Sequence, residues 1–185
     1  CNTASTIALG MVRDVLEVPI VGTVPAIKPA AAMTRSGVIG LLGTEATIRQ
    51  AYVDRLEQEF AAEKLLLRYG APSLVEAAEA KLRGEPVDCA AITDAAETLR
   101  AMPGGDRIDT VVLACTHFPL LDAELSRAFG PGVQFVHGAQ GIARQIARLT
   151  AGQEWSRQAP DLALFTGLGD VPKAYGEMLT HYGLG

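Results

Sequence analysis

Residues 109–121, DTVVLACTHFPLL, decide how this chain is read. The first half is an apolar, β-branched run of strand length, and the second half changes character at Cys115, where Thr116, His117 and Pro119 lead into a helical pattern. Because the run is apolar on successive residues, the strand it forms is covered on both faces, as in a parallel sheet. Thr116 is a capping-type residue, and Pro119 suits the first turn of the helix that follows. A thiol at such a strand end sits beside free N–H groups and the positive end of a helix dipole, which favours a thiolate. The same grammar recurs at residues 1–12, CNTASTIALGMV, where Cys1 is followed by Asn2, Thr3 and an apolar helical pattern.

Working outward, runs rich in Val, Ile and Leu alternate with segments of helical period, giving a βαβα pattern. Strands are expected over residues 19–24, 37–43, 63–68, 110–114, 133–136 and 162–165. Helical stripes are expected at Ile48, Ala51, Tyr52 and Leu56, at Leu121, Leu125 and Phe129, and at Ile142, Ile146 and Leu149, the last read as core packing. The expected fold class is α/β with mainly parallel sheets covered by helices. In such sheets the ligand site lies beyond the carboxyl ends of the strands, which is where both cysteine motifs fall.

Composition narrows the function classes. A chain of 185 residues that is 49% hydrophobic and 20% charged can build a core, so disorder is set aside. The net charge of −5 is spread along the sequence with no basic block, so the footprint of a nucleic-acid binder is missing. No apolar run reaches the length of a membrane span, and no secretory leader precedes the first motif; a cytoplasmic location is the expectation. Three cysteines, Cys1, Cys89 and Cys115, without a Cys-x-x-Cys pair or a His/Cys cluster, indicate free thiols and no metal site. Glycines in GVIGLLG lack the order of a dinucleotide fingerprint.

The stretches CNTAS, TVPAIKPAA, GVIGLLGTEATIRQAY and VVLACTHFPLL closely resemble the bacterial glutamate racemases of the aspartate/glutamate racemase superfamily. The resemblance runs through nearly the whole chain. It implies a cofactor-independent enzyme of two pseudo-symmetric α/β domains, with the active site in the cleft between them and one cysteine from each half. Residues 1–20 and 137–185 would belong to the first domain and 21–136 to the second. Racemisation by proton transfer needs a base on one face of the α-carbon and an acid on the other. By the resemblance, Cys1 acts on D-glutamate and Cys115 on L-glutamate. It further implies that Asn2, Thr3, Thr116 and His117 contact substrate, that His117 tunes Cys115, and that Glu79 in APSLVEAAEAK assists the second cysteine. Thr44 and Thr47 in GTEAT sit at a strand-to-helix turn, able to serve a substrate carboxylate through the turn's amides or to act as ordinary caps. The implied product role is supply of D-glutamate for peptidoglycan; the oligomeric state stays open, a homodimer included.

Two departures from the family pattern stand out. The family's lead-in, with an Asp-Ser-Gly motif and a Pro-Tyr-Gly motif, is not in this sequence, so the chain reads as a fragment that would be inactive and poorly folded alone. In FVHGAQG, His137 stands where the family often carries an acid. His137 and His181 read as ordinary surface histidines, and Cys89 as a bystander in a polar stretch. The alternatives are an aspartate racemase or related racemase of the same superfamily, and a non-catalytic binding or regulatory relative.

Overall fold

The computed structural model describes residues 1–156, 158–165 and 173–184. Helix α1 (Asn2–Val15) and an extended loop lead to α2 (Ile27–Met33), β1 (Val38–Gly43), the short α3 (Glu45–Ile48) and α4 (Ala51–Phe60). There follow β2 (Leu65–Gly70), α5 (Ser73–Leu82), α6 (Cys89–Ala101), β3 (Thr110–Leu113) and a 3-10 turn (Phe118–Leu121). The chain continues through α7 (Asp122–Phe129), β4 (Gln134–Val136) and α8 (Ala139–Leu149), then a 3-10 turn (Lys173–Tyr175) into α9 (Gly176–His181). The four strands form one parallel sheet in the order β2-β1-β3-β4. This is the α/β class with the parallel sheet that the unbroken apolar runs imply.

Alternation along each strand divides two cores. From β1, Val38 and Leu42 point into a core shared with α5, α6 and α7, built from Leu74, Ile92, Leu99, Phe118, Leu125 and Phe129. Ile39 and Leu41 point the other way, against Ile27 and Ala30 of α2 and Val53 and Leu56 of α4. In β3 and the residue after it the same parity holds, with Val111 and Leu113 on the first face and Val112 and Ala114 on the second. A strand buried on both faces has no polar side to reveal, so the run reads as continuous rather than alternating. Each fully buried Leu or Phe contributes about 1.5–3 kcal/mol by leaving water.

Five expectations are corrected. Residues 19–24 and 162–165 are not strands: a strand exists only with a neighbour to complete its hydrogen bonds, and neither segment meets one among the described residues. The strand expected to begin at residue 63 begins at Leu65, after a turn, and runs to Gly70. Ile48 and Ala51 belong to two helices, since α3 ends at Ile48 and α4 starts afresh from Gln50. Finally, the stripe of α8 is not core: Ile146 and Leu149 are 47% and 38% exposed, and no residue of that helix is buried. The apolar side of α1 is likewise open, with Ile7, Met11 and Val15 exposed. Periodicity identified an amphipathic helix correctly in both cases, but it does not say what the apolar side faces.

Candidate active site

The sheet order places a topological switch point between β1 and β3, because the chain leaves β1 toward β2 on one side and leaves β3 toward β4 on the other. A crevice opens beyond the carboxyl ends of the strands at such a point. The register fixes what faces it: Leu42 pairs with Leu113, and the Ala114 N–H donates to the Leu42 carbonyl at 2.7 Å. Thr44 and Cys115 thus emerge next to each other from adjacent strand ends. Gly43, directly before Thr44, is packed so closely that a Cβ there would lie 3.1 Å from Ile48 Cγ2 and 3.6 Å from Ala114 Cβ.

On the β1 side, Thr44 is the N-cap of α3, its hydroxyl accepting from the Thr47 N–H at 3.3 Å. Thr47, 1% exposed, places its own hydroxyl 3.0 Å from that of Thr44. Thr3 completes the cluster from α1, 2.8 Å from the Thr47 hydroxyl and 3.4 Å from that of Thr44. Three hydroxyls from two distant stretches meet at one helix N-terminus, where unpaired amides and the dipole favour an anion. Cys1 is the N-cap of the helix carrying Thr3, and it is exposed. Asn2 is 5% exposed and accepts from the Thr23 hydroxyl at 3.5 Å, while the Thr23 N–H donates to the Ser5 hydroxyl at 3.1 Å. The first cysteine motif is thereby tied both to the sheet's carboxyl edge and to the loop before α2.

On the β3 side, Cys115 is buried at the strand end, with Sγ 3.8 Å from His117 Nδ1. His117 Nε2 lies 2.7 Å from Glu79 Oε1, so a carboxylate on α5, an imidazole and a thiol stand in line. The remaining oxygen of Glu79 accepts from the Tyr175 hydroxyl at 2.8 Å, with Arg83 Nη1 at 3.9 Å. The Tyr175 bond is the main reason the Glu79 carboxyl lies below its ordinary range; partial burial opposes it, and the His117 bond, with the charges of His117 and Arg83, reinforces it. Glu79 is therefore an anion at neutral pH and a strong acceptor for a histidine N–H.

Each residue read from the sequence as part of a site can now be placed. Cys115, His117 and Glu79 converge, and Thr3, Thr44 and Thr47 converge, with Asn2 buried alongside. Thr116 is exposed and makes no side-chain hydrogen bond among the described residues. It is not the cap expected of it, because the 3-10 turn starts one residue later, with His117 at its N-cap and Pro119 in its first turn. Cys89 is exposed at the start of α6, away from both motifs. His137 accepts from the Ala139 N–H at 3.4 Å at the entry to α8. Sequence reasoning missed Thr23 and Tyr175, which lie 21 residues from Asn2 and 96 from Glu79, and no local pattern marks either.

No helix among the described residues is long and apolar enough to cross a membrane. Comparison with known proteins identifies the family. The family model for Asp/Glu/hydantoin racemases matches residues 1–146, which takes in both cysteine motifs. Over 186 aligned residues the chain is 60% identical to the glutamate racemase of Sphingopyxis alaskensis, covering all of this chain and 69% of that protein. It is 43% identical to that of Pectobacterium carotovorum, covering 94% of this chain and 60% of the relative. The chain thus spans roughly two thirds or less of the length of these relatives. Among solved structures, Escherichia coli glutamate racemase in complex with L-glutamate and the activator UDP-MurNAc-ala superposes with a TM-score of 0.91 at 37% identity, over all of this chain and 69% of that one. A Bacillus anthracis glutamate racemase isoform shares the fold at a TM-score of 0.74 and 23% identity, over 98% of this chain and 67% of that one. The chain belongs to the Asp/Glu/hydantoin racemase family, alongside these glutamate racemases.

Proposed function

We propose that this chain carries both proton-transfer thiols and much of the substrate pocket of a glutamate racemase, interconverting L- and D-glutamate without a cofactor. The observation that carries the proposal is the in-line arrangement of Cys115, His117 and Glu79 at the same strand-end crevice as the threonine cluster tethered to Cys1. In one direction the Cys115 thiolate removes the α-proton of L-glutamate, and the Cys1 thiol delivers a proton to the opposite face, leaving Cys115 as thiol and Cys1 as thiolate. In the other direction the roles exchange, Cys1 acting on D-glutamate. His117, held by Glu79, supports the charge on Cys115 while the proton moves. The carbanion needs preorganised donors, and the amide-bearing turn at Thr44–Thr47 with the hydroxyls of Thr3, Thr44 and Thr47 supplies them for the α-carboxylate, with Asn2 beside them. Thr116, with its free hydroxyl at the rim, is a further substrate contact.

The two-domain assignment belongs to the same proposal: residues 21–136 form the half built on the four-stranded sheet, while 1–20 and 137–185 belong to the other. Exposed apolar sides on α1 and α8, outside the two cores of that sheet, support the division. The role that follows is supply of D-glutamate for peptidoglycan, in the cytoplasm. Aspartate is not favoured, since the relatives bearing these motifs are named as glutamate racemases. The test is incubation of the complete polypeptide with L-glutamate or L-aspartate in deuterated water. Glutamate should lose optical activity while gaining deuterium at the α-carbon. Aspartate racemised in preference to glutamate would overturn the substrate assignment, and an α-carbon left unlabelled would overturn the reaction.

A further inference from the structure

Glu79 presents its two carboxylate oxygens to different parts of the chain. Oε1 accepts from His117, and Oε2 accepts from Tyr175, which lies on the 3-10 turn Lys173–Tyr175 ahead of α9. The terminal torsion of a glutamate is broad, so one hydrogen bond alone leaves the carboxylate plane free to turn. A second bond to the other oxygen fixes that plane. A competitor stands close by: Arg83, four residues further along the same polypeptide, has Nη1 3.9 Å from Oε2 while its other nitrogens bind Glu85 at 2.7 and 2.9 Å. The tyrosine hydroxyl and this guanidinium thus share Oε2, and the hydroxyl is its nearer partner, at 2.8 Å. The Tyr175 ring is also placed from outside, its centroid 6.4 Å from that of Phe165.

We infer that Tyr175 is a positioning residue for proton transfer at Cys115, holding Glu79 Oε2 so that Oε1 stays on His117. The inference rests on the racemase reading above and extends it, since it makes the 3-10 turn Lys173–Tyr175 part of the acid–base apparatus. Tyr175 touches neither thiol; it acts through Glu79 and His117.

The test is a double-mutant cycle in the complete polypeptide. Tyr175→Phe keeps the ring and removes only the hydroxyl. Losing one hydrogen bond to a charged, partly exposed group should lower kcat about three- to tenfold with KM nearly unchanged. In a Glu79→Gln background the same substitution should change kcat by less than about twofold, because the carboxylate it orients is gone. A direct probe of the thiol accompanies the kinetics. In a Cys1→Ser, Cys89→Ser background, alkylation of Cys115 by iodoacetamide at neutral pH should slow about threefold on adding Tyr175→Phe, whether or not racemisation is measured. Unchanged kcat and unchanged alkylation would overturn the inference while leaving the racemase reading intact. An equal loss with and without Glu79 would reduce Tyr175 to a general structural part, which also overturns it. Absence of any racemisation by the unmodified protein would instead remove the reading beneath it.

Discussion

Glu79 Oε1 and His117 Nε2 are 2.7 Å apart although 38 residues separate them in sequence, and His117 Nδ1 faces the Cys115 sulfur. The contact exists because α5 packs against the turn that follows β3, with Leu74, Ala77 and Ala78 of the helix in the same core as Phe118 and Leu121 of the turn. The apolar face of α5 thus aims its one useful acid at the strand end. Glu79→Gln keeps the shape and removes the negative charge from the group that His117 Nε2 faces. It should lower kcat/KM about 10- to 100-fold. Because the two enantiomers are equally stable, kcat/KM must fall by the same factor starting from L- or D-glutamate; polarimetry from both sides checks the magnitude and the symmetry together.

The ionisation of Glu79 adds a pH prediction. Its carboxyl is held below the ordinary value, chiefly by the Tyr175 hydroxyl, so it stays charged at any pH near neutrality and loses its charge only well into acid. The acid limb of the pH–rate profile near neutrality should therefore persist in Glu79→Gln at reduced height, since it belongs to other groups. Collapse of that limb in the variant would show that Glu79 itself titrates there, against this assignment.

Thr47 carries a hydroxyl that is buried and shared between Thr3 and Thr44. Thr47→Val replaces it with a methyl group of nearly the same size, leaving two hydroxyls short of a partner. Stability should fall by about 1–2 kcal/mol, read as a shift in the urea midpoint. If the cluster and the adjoining amides hold the α-carboxylate, KM for glutamate should rise severalfold while the alkylation rate of Cys115 stays as it was. Loss of stability without any change in KM would confine the cluster to a structural role.

At the opposite edge of the sheet, Asp109 ties the segment before β1 to the start of β3. Its carboxylate accepts from the Thr34 hydroxyl at 2.6 Å and from the Arg35 and Ser36 N–H groups at 2.8 and 2.7 Å, and from the Thr110 hydroxyl at 3.0 Å. Burial pushes this carboxyl up, but the hydrogen bonds outweigh it and bring it down to about 2 from an ordinary value of 3.8. A carboxyl lowered on folding contributes stability that is complete above its unfolded value and is lost as pH falls through that value toward the folded one. The window is therefore roughly pH 4 down to 2, and after allowance for solvent screening the contribution is about 1–2 kcal/mol. Asp109→Asn should lower stability at pH 7 and flatten its decline across that window, as followed by thermal unfolding at a series of pH values.

What the sequence revealed and what it hid follow from the range of the interactions involved. β1 and β3 were legible because burial on both faces leaves an unbroken apolar run, and the cysteine motifs were legible because a strand end and the following turn are contiguous in the chain. Residues 19–24 look like a strand by composition, yet strand formation depends on a neighbour that composition does not name. The outward stripe of α8 failed for a related reason: amphipathicity says that one side is apolar, not that anything covers it. Resemblance to a family pointed to Glu79, and the structure brings it to His117. Tyr175 escaped notice because its partner is 96 residues away and a single tyrosine ahead of a short helix carries no periodic signal.

The sharpest expectation concerns the thiols themselves. Cys1 is the N-cap of α1 and Cys115 lies at the end of β3, and the proposed two-base reaction sets one thiol on each face of the α-carbon. Cys1→Ser or Cys115→Ser should each reduce racemisation from either enantiomer by about a thousandfold or more, because a hydroxyl is a far weaker acid and base and every turnover uses both groups once. Alkylation offers the complement: glutamate should protect both thiols of the complete polypeptide from iodoacetamide. Retention of full activity in either serine variant, or protection of only one thiol by substrate, would mean that the α-carbon does not lie between them and that the two-base reaction is wrong.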